Sequence, residues 1–314
     1  MTDRPCRIGV QLPEVERFVP WPEYAALARR AEEVGFDSLW VGDHLLYDLA
    51  DPAGGGTIQR GPWEAWTLLA ALAAVTTTIE LGPFVASTSF HAPAMLAKQA
   101  ATVDAVSGGR LIVALGAGWN VREYTAFGFP YDRRVSRFEE AFTIIRTLLR
   151  EHRIDFAGEF YRVEDAVLDP PPTRPGGPPL MLGSVSDRML HIGLPHVDSW
   201  NVWWSLYGNT PEGFAAVRER VEEVCGEVGR DPAEVDATAA VYVQLEGGAG
   251  RVMGDHRGRT MQPLRGSIEE LADQIRAFAA AGAAHVQLVV DPITEASIDH
   301  LGGVLALLDA RGGS

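Results

Sequence analysis

Two stretches of this chain bring together residue types that do chemistry. In Trp40-Val-Gly-Asp43-His44 a short apolar run ends in a carboxylate followed by an imidazole. Histidine titrates near neutral pH, so one at the end of a strand can shuttle a proton or donate to a developing negative charge. Asp43 and His44 are therefore the candidate catalytic pair. In Leu111-Ile-Val-Ala-Leu-Gly116-Ala-Gly118-Trp119-Asn120 an apolar run closes on two glycines and an indole. With no side chain at Gly116 or Gly118, a flat ligand can approach the backbone there.

Three further segments could serve the same ligand. Phe84-Val85-Ala86 reads either as an ordinary apolar strand entering a polar loop or as a backbone platform behind a cofactor ring. Gly183-Ser184-Val185-Ser186 precedes a helical pattern. Its N–H groups, with the positive end of that helix and Arg188 nearby, could cradle a phosphate. Trp200, Trp203 and Trp204 crowd a sixth apolar run. If that run is extended, Trp203 and Trp204 point to opposite faces and only one of them touches a ligand. Trp119, Tyr47, Phe90 and one of that pair could shape an aromatic substrate pocket, although buried aromatics most often only pack.

Other chemistries fall away. Lys98 is the only lysine and lies inside a helical pattern, which leaves no strand-end amine for a Schiff base. The 8 histidines show neither His-x-His nor His-Glu-x-x-His, so no metal is expected. There is no Gly-x-Ser-x-Gly elbow, and Gly116-Ala-Gly118 lacks the third glycine of a dinucleotide fingerprint. A formal charge of −15 argues against nucleic acid or an anionic membrane as partner. Cys6 and Cys225 stand far apart, in no metal or redox spacing. With no signal-like start and no membrane-length apolar run, a cytoplasmic enzyme of a small-molecule substrate is expected.

The elements that must position these residues alternate. Strand-like runs fall at 7–12, 38–41, 79–85, 111–115, 179–182, 199–202, 235–243 and 284–290. Helical patterns lie between them, with Pro93 and Pro211 suited to first turns, Gly35 and Gly108 as stops, and Ser267-Ile-Glu-Glu270 as a capping box. Strand and helix alternating eight times predict an α/β fold, a (β/α)8 TIM barrel spanning residues 1–314 as one domain. An open doubly-wound sheet is the alternative. Two insertions interrupt the pattern. The first, His152–Pro178 after strand 4, is rich in proline and read as an extended excursion. The second, Glu246–Pro263 after strand 7, is glycine-rich with three arginines and reads as a mobile lid or a solvated loop.

Taken together, Gly35-Phe-Asp-Ser-Leu-Trp-Val-Gly-Asp-His44, Pro93 to Asp104, Ser107-Gly-Gly-Arg-Leu111, Gly116-Ala-Gly-Trp-Asn120 and Arg137-Phe-Glu-Glu140 resemble the luciferase-like family of flavin- and deazaflavin-dependent oxidoreductases. The set looks most like the branch that uses coenzyme F-420, an 8-hydroxy-5-deazaflavin, with FMN as the alternative cofactor. The resemblance implies a bacterial-luciferase-like barrel, a homodimer, and a non-prolyl cis peptide at Phe84-Val85 against the ring. It also implies His44 near the ring's reactive edge and phosphate at Gly183, Ser184 and Val185. Family sugar-phosphate dehydrogenases carry a glutamate where this chain has Trp119, which argues against that activity. The reading is an F-420-dependent hydride transfer to or from a small organic substrate. The alternatives are a reduced-FMN monooxygenase and, in a different class, a non-catalytic flavin-binding protein.

Overall fold

The computed structural model describes residues 4–51, 54–250 and 262–310. The strands are β1 (Arg7–Gln11), β2 (Ser38–Val41), β3 (Glu80–Pro83 and Ala86–Ser87), β4 (Val113–Gly116), β5 (Leu180–Leu182), β6 (Ser199–Val202), β7 (Asp236–Gln244) and β8 (His285–Asp291). The helices are α1 (Trp21–Glu33), α2 (Ala65–Val75), α3 (Pro93–Ser107), α4 (Val121–Phe127), α5 (Arg134–Glu151), α6 (Asp187–Gly193), α7 (Trp204–Tyr207), α8 (Pro211–Glu227), α9 (Ile268–Ala280) and α10 (Glu295–Ala310).

Among the described residues, nine strand segments follow the order β3-β2-β1-β8-β7-β6-β5-β4-β3, beginning and ending on the two pieces of β3. This is the strand order of a (β/α)8 barrel, as the alternation predicts, and not of an open doubly-wound sheet. The pairs β1–β8, β1–β2, β6–β7 and β7–β8 are parallel, and so is β4 with the second piece of β3. Parallel strands covered on both faces read as continuous apolar runs rather than alternating ones. β8 is buried throughout and β7 along all but its two ends, in keeping with that rule.

Two compact units emerge from the contacts. One comprises Met1–Pro13, Phe18–Trp40 and Leu182–Ser314, the other Glu14–Arg17 and Val41–Met181. In the first, the Ser267/Glu270 capping box starts α9 with both of its hydrogen bonds formed. In the second, Pro93 opens α3 and Gly108 closes it at φ 68°, a left-handed position that glycine adopts freely.

Two hairpins flank the regular units. Tyr47–Ala50 pairs antiparallel with Thr57–Arg60, an element the sequence reading does not anticipate. Within the first insertion, Arg153–Ala157 pairs with Arg162–Val167, where only an extended excursion is expected. Its turn is pinned to α5, because Glu140 accepts from the N–H groups of Glu159, Phe160 and Tyr161. Asp104, fully buried on α3, accepts from Thr173 N–H and pairs with Arg174, which ties down the rest of the insertion. Residues 251–261 of the second insertion, including Arg251, Arg257 and Arg259, lie outside the described residues, and with them the choice between lid and loop. No helix among the described residues is long and apolar enough to cross a membrane.

Arg110 fastens the approach to β4. Its guanidinium donates to the carbonyls of Ala73, Thr76, Ile79 and Ser107 and to the Thr76 hydroxyl. A lysine has the charge but not the planar fork, so Arg110→Lys strands several of these acceptors. The expected loss of stability is on the order of 1–3 kcal/mol, measured by urea denaturation. A wild-type midpoint would show that the fork is dispensable.

Candidate active site

Asp43 and His44 leave the C-terminal end of β2 and then part company. The sequence reads them as a pair, but successive side chains of an extended segment point to opposite sides, and each finds its own partner. Asp43, 3% exposed, accepts from Ser87 N–H at 2.9 Å and lies 3.0 Å from His91 Nε2. Asp43 thus anchors the second piece of β3, and its contact with the site is through the backbone it holds.

His44 turns to Glu123 on α4. Its Nδ1 lies 3.0 and 3.1 Å from the two carboxylate oxygens. Glu123 Oε1 also accepts from the N–H groups of Leu45 at 2.6 Å and Leu46 at 3.2 Å. Glu123 is wholly buried. A carboxylate already accepting from two amides serves as acceptor again, so Nδ1 carries the proton and donates. That leaves Nε2 for a ligand, and it has no protein partner among the described residues. The His44 side chain is 18% exposed.

Burial alone would lower the His44 pKa. The hydrogen bond to Glu123 and the charges of Glu14, Glu123 and Asp43 outweigh it, and the pKa rises above its usual value. Because the folded value exceeds the unfolded one, the stabilisation is complete in acid and fades as pH rises through the folded pKa.

α4 is built to present Glu123. Asn120 caps it by accepting from Arg122 N–H, and its amide donates to the Leu46 carbonyl at 3.0 Å. The first turn of α4 is thereby docked on the same loop that follows β2. Glu123 sits in that first turn, where unpaired helix N–H groups favour an anion. Sequence reasoning passes over this residue, since a glutamate three places after an asparagine cap reads as an ordinary helix-start signal.

The remaining candidates in this unit lie as follows. The Phe84-Val85 peptide is cis, as the resemblance implies. Phe84 and Ala86 are buried and Val85 is half-buried, while Phe84 N–H donates to the Val41 carbonyl. The Trp119 ring is edge-on to His44 at 5.7 Å and 42% exposed. Tyr47 is tilted against His44 at 4.7 Å. Phe90 packs between Tyr124 and Phe129 as part of an aromatic cluster.

Gly116 lies within β4, paired to Ser87. Gly118 also has a reason within the protein to be glycine. Its φ is +73°, and a Cβ there would fall 2.2 Å from the Tyr124 hydroxyl and 2.4 Å from Ser87 Oγ. Protein atoms claim that space, and Tyr124 donates from it to the Ala117 carbonyl at 2.7 Å.

In the other unit, Gly183–Ser186 forms a partly exposed turn into α6, whose first-turn Asp187 is bound by Arg220. β6 ends at Val202, so Trp203 and Trp204 do not alternate along a strand. Trp204 begins α7 and stacks on Tyr242 in the core, which leaves Trp203 as the more accessible indole.

Residues 6–249 match the luciferase-like monooxygenase family model, and the chain belongs to that family. It is 31% identical over 210 residues to pyrimidine monooxygenase RutA of Stutzerimonas stutzeri, covering 65% of this chain and 56% of that one. It is 27% identical over 232 residues to 5,10-methylenetetrahydromethanopterin reductase of Archaeoglobus fulgidus, covering 73% and 63%. Among solved structures, an F-420-dependent secondary alcohol dehydrogenase in complex with an F-420-acetone adduct superposes with a TM-score of 0.77 at 21% identity, over 96% of this chain and 99% of that one.

Replacing Glu123 with glutamine removes the anion bonded to Nδ1 while the burial remains. The His44 pKa in Glu123→Gln should fall, as read from the pH dependence of its imidazole NMR signals. An unmoved midpoint would show that Glu123 does not set the charge of His44.

Proposed function

We propose that this protein is an oxidoreductase that uses coenzyme F-420 to move a hydride to or from a small, largely apolar organic substrate. The observation that carries the reading is His44, with Nδ1 fixed by a buried carboxylate, Nε2 open, and a pKa above its usual value. The likeness to an F-420-dependent secondary alcohol dehydrogenase supports it.

The residues present fit a flat tricyclic cofactor. The half-buried Val85 supplies an apolar support where β3 is interrupted, Trp119 an exposed aromatic face, and His44 a polar group free to bond. His44, Val85 and Trp119 would hold the ring, and F-420 when bound supplies hydride exchange at its C5. His44 Nε2 donates a proton to the substrate oxygen in reduction and accepts it back in oxidation. Glu123 keeps the ring from turning and stabilises its charged form, while Asp43 holds Ser87 and hence the support beneath. Fixing donor and cofactor in one geometry supplies much of the acceleration.

The similarity to RutA favours a second reading, a monooxygenase working with reduced FMN. The two separate on binding. Titration of the purified protein, followed by ring fluorescence, should show F-420 binding at micromolar concentration. Tight binding of FMN with none of F-420 would overturn the cofactor assignment. With the bound cofactor and a turned-over substrate, His44→Ala should lose about 10²–10⁴-fold in turnover, with cofactor affinity little changed. Unchanged turnover would remove His44 from the chemistry and favour a non-catalytic flavin-binding protein.

A further inference from the structure

His44 has a second buried carboxylate near it, and the fold goes to some length to hold it there. Glu14 follows β1 and is only 7% exposed. Tyr47 donates its hydroxyl to Glu14 Oε1 at 3.0 Å, and the ring of the same Tyr47 lies 4.7 Å from that of His44. A carboxylate kept this far from water is destabilising unless its charge is met, so its position needs a cause.

Three features secure the segment. Glu14 N–H donates to Glu16 Oε2 at 2.8 Å. Arg60 donates to the carbonyls of Val15 and Glu16, both at 2.9 Å. Arg60 and Tyr47 are cross-strand partners in the first hairpin, so one rung of that hairpin grips both the backbone and the carboxylate of 14–16. The third feature is Gly42, next to Asp43. A Cβ on Gly42 would stand 2.5 Å from Glu14 Oε1 and 2.7 Å from its Cδ. The φ of Gly42 is outside the left-handed region, so room for Glu14 is what the missing side chain provides.

We propose that Glu14 is a positioning residue for His44, acting through Tyr47, whose hydroxyl it holds and whose ring packs against the imidazole. The titratable and charged groups around His44 are then Glu123 from α4, Tyr47 from the hairpin, Glu14 from the segment after β1, and Asp43 from its own segment, which is turned to His91 and acts only through its charge. The direction in which the His44 pKa moves agrees, since Glu14 is among the charges that raise it. The sequence gives no hint of this role, because Glu14 stands in a short polar loop 30 residues before His44.

The test uses the whole 314-residue chain without cofactor, so its outcome is independent of whether F-420 is the right partner. His44 is followed by NMR titration, its signal assigned by loss in His44→Gln. Glu14→Gln removes the charge, and Gly42→Ala leaves the charge but drives the carboxylate from its seat. Both should lower the His44 midpoint by about half a unit or more. Tyr47→Phe, which keeps the ring but drops the donor, should move it the same way by less, and Glu14→Asp should restore part of the shift. Urea denaturation identifies which variants are folded. Should Glu14→Gln fail to fold, Gly42→Ala and Tyr47→Phe read the same quantity. A His44 midpoint equal to wild type in the folded variants would overturn the proposal and leave Glu14 as a packing residue.

Discussion

The site depends on a carboxylate with no access to water. An unpaired buried anion is strongly destabilising, and removing one partner of a buried pair costs about 3–5 kcal/mol. Glu123 is stabilised because the first turn of α4, two amides of the loop after β2 and the His44 imidazole all converge on it. Each depends on the others: the loop follows Asn120 and Glu123, and the ring follows the loop. What results is a histidine oriented before any ligand arrives and with its pKa raised by the carboxylates around it, the preorganisation that proton transfer needs.

The same chain contains a control for this argument. His285, also buried, faces the Ser38 hydroxyl at 2.8 Å rather than a carboxylate. Burial, aided by the charge of Arg7, takes its pKa well below the usual value, so it stays neutral. Burial weighs on His44 as well. The sign differs because His44 is surrounded by carboxylates and His285 is not. Of the two, His44 alone is suited to donate a proton near neutral pH. Asp43, which reads in the sequence as its partner, instead ties β2 to β3 through Ser87.

How much of this was legible follows the range of the interactions. The strands, the Pro93 and Gly108 ends of α3 and the α9 capping box are written in neighbouring residues, and the structure has them. The cis peptide at Phe84-Val85 came from family resemblance rather than from any local signal. The hairpin at 47–60 carries no sequence signal, because Thr57–Arg60 is short and half-exposed, with no apolar alternation to mark it. Glu123 lies 79 positions from His44, and Glu14 reaches Tyr47 across 33, separations that residue spacing does not reveal. At Gly118 the structure adds a requirement that residue spacing does not show, since a side chain there would meet Tyr124 and Ser87.

The proposed chemistry requires His44 Nε2 to be the atom that meets the reacting group. A crystal structure of the protein with F-420 and a substrate analogue tests this most directly. It should place an acceptor oxygen of the analogue within about 2.6–3.2 Å of Nε2, with Nδ1 still on Glu123. A structure in which Nε2 is capped by a protein group, or in which the deazaflavin binds away from His44, Val85 and Trp119, would contradict it.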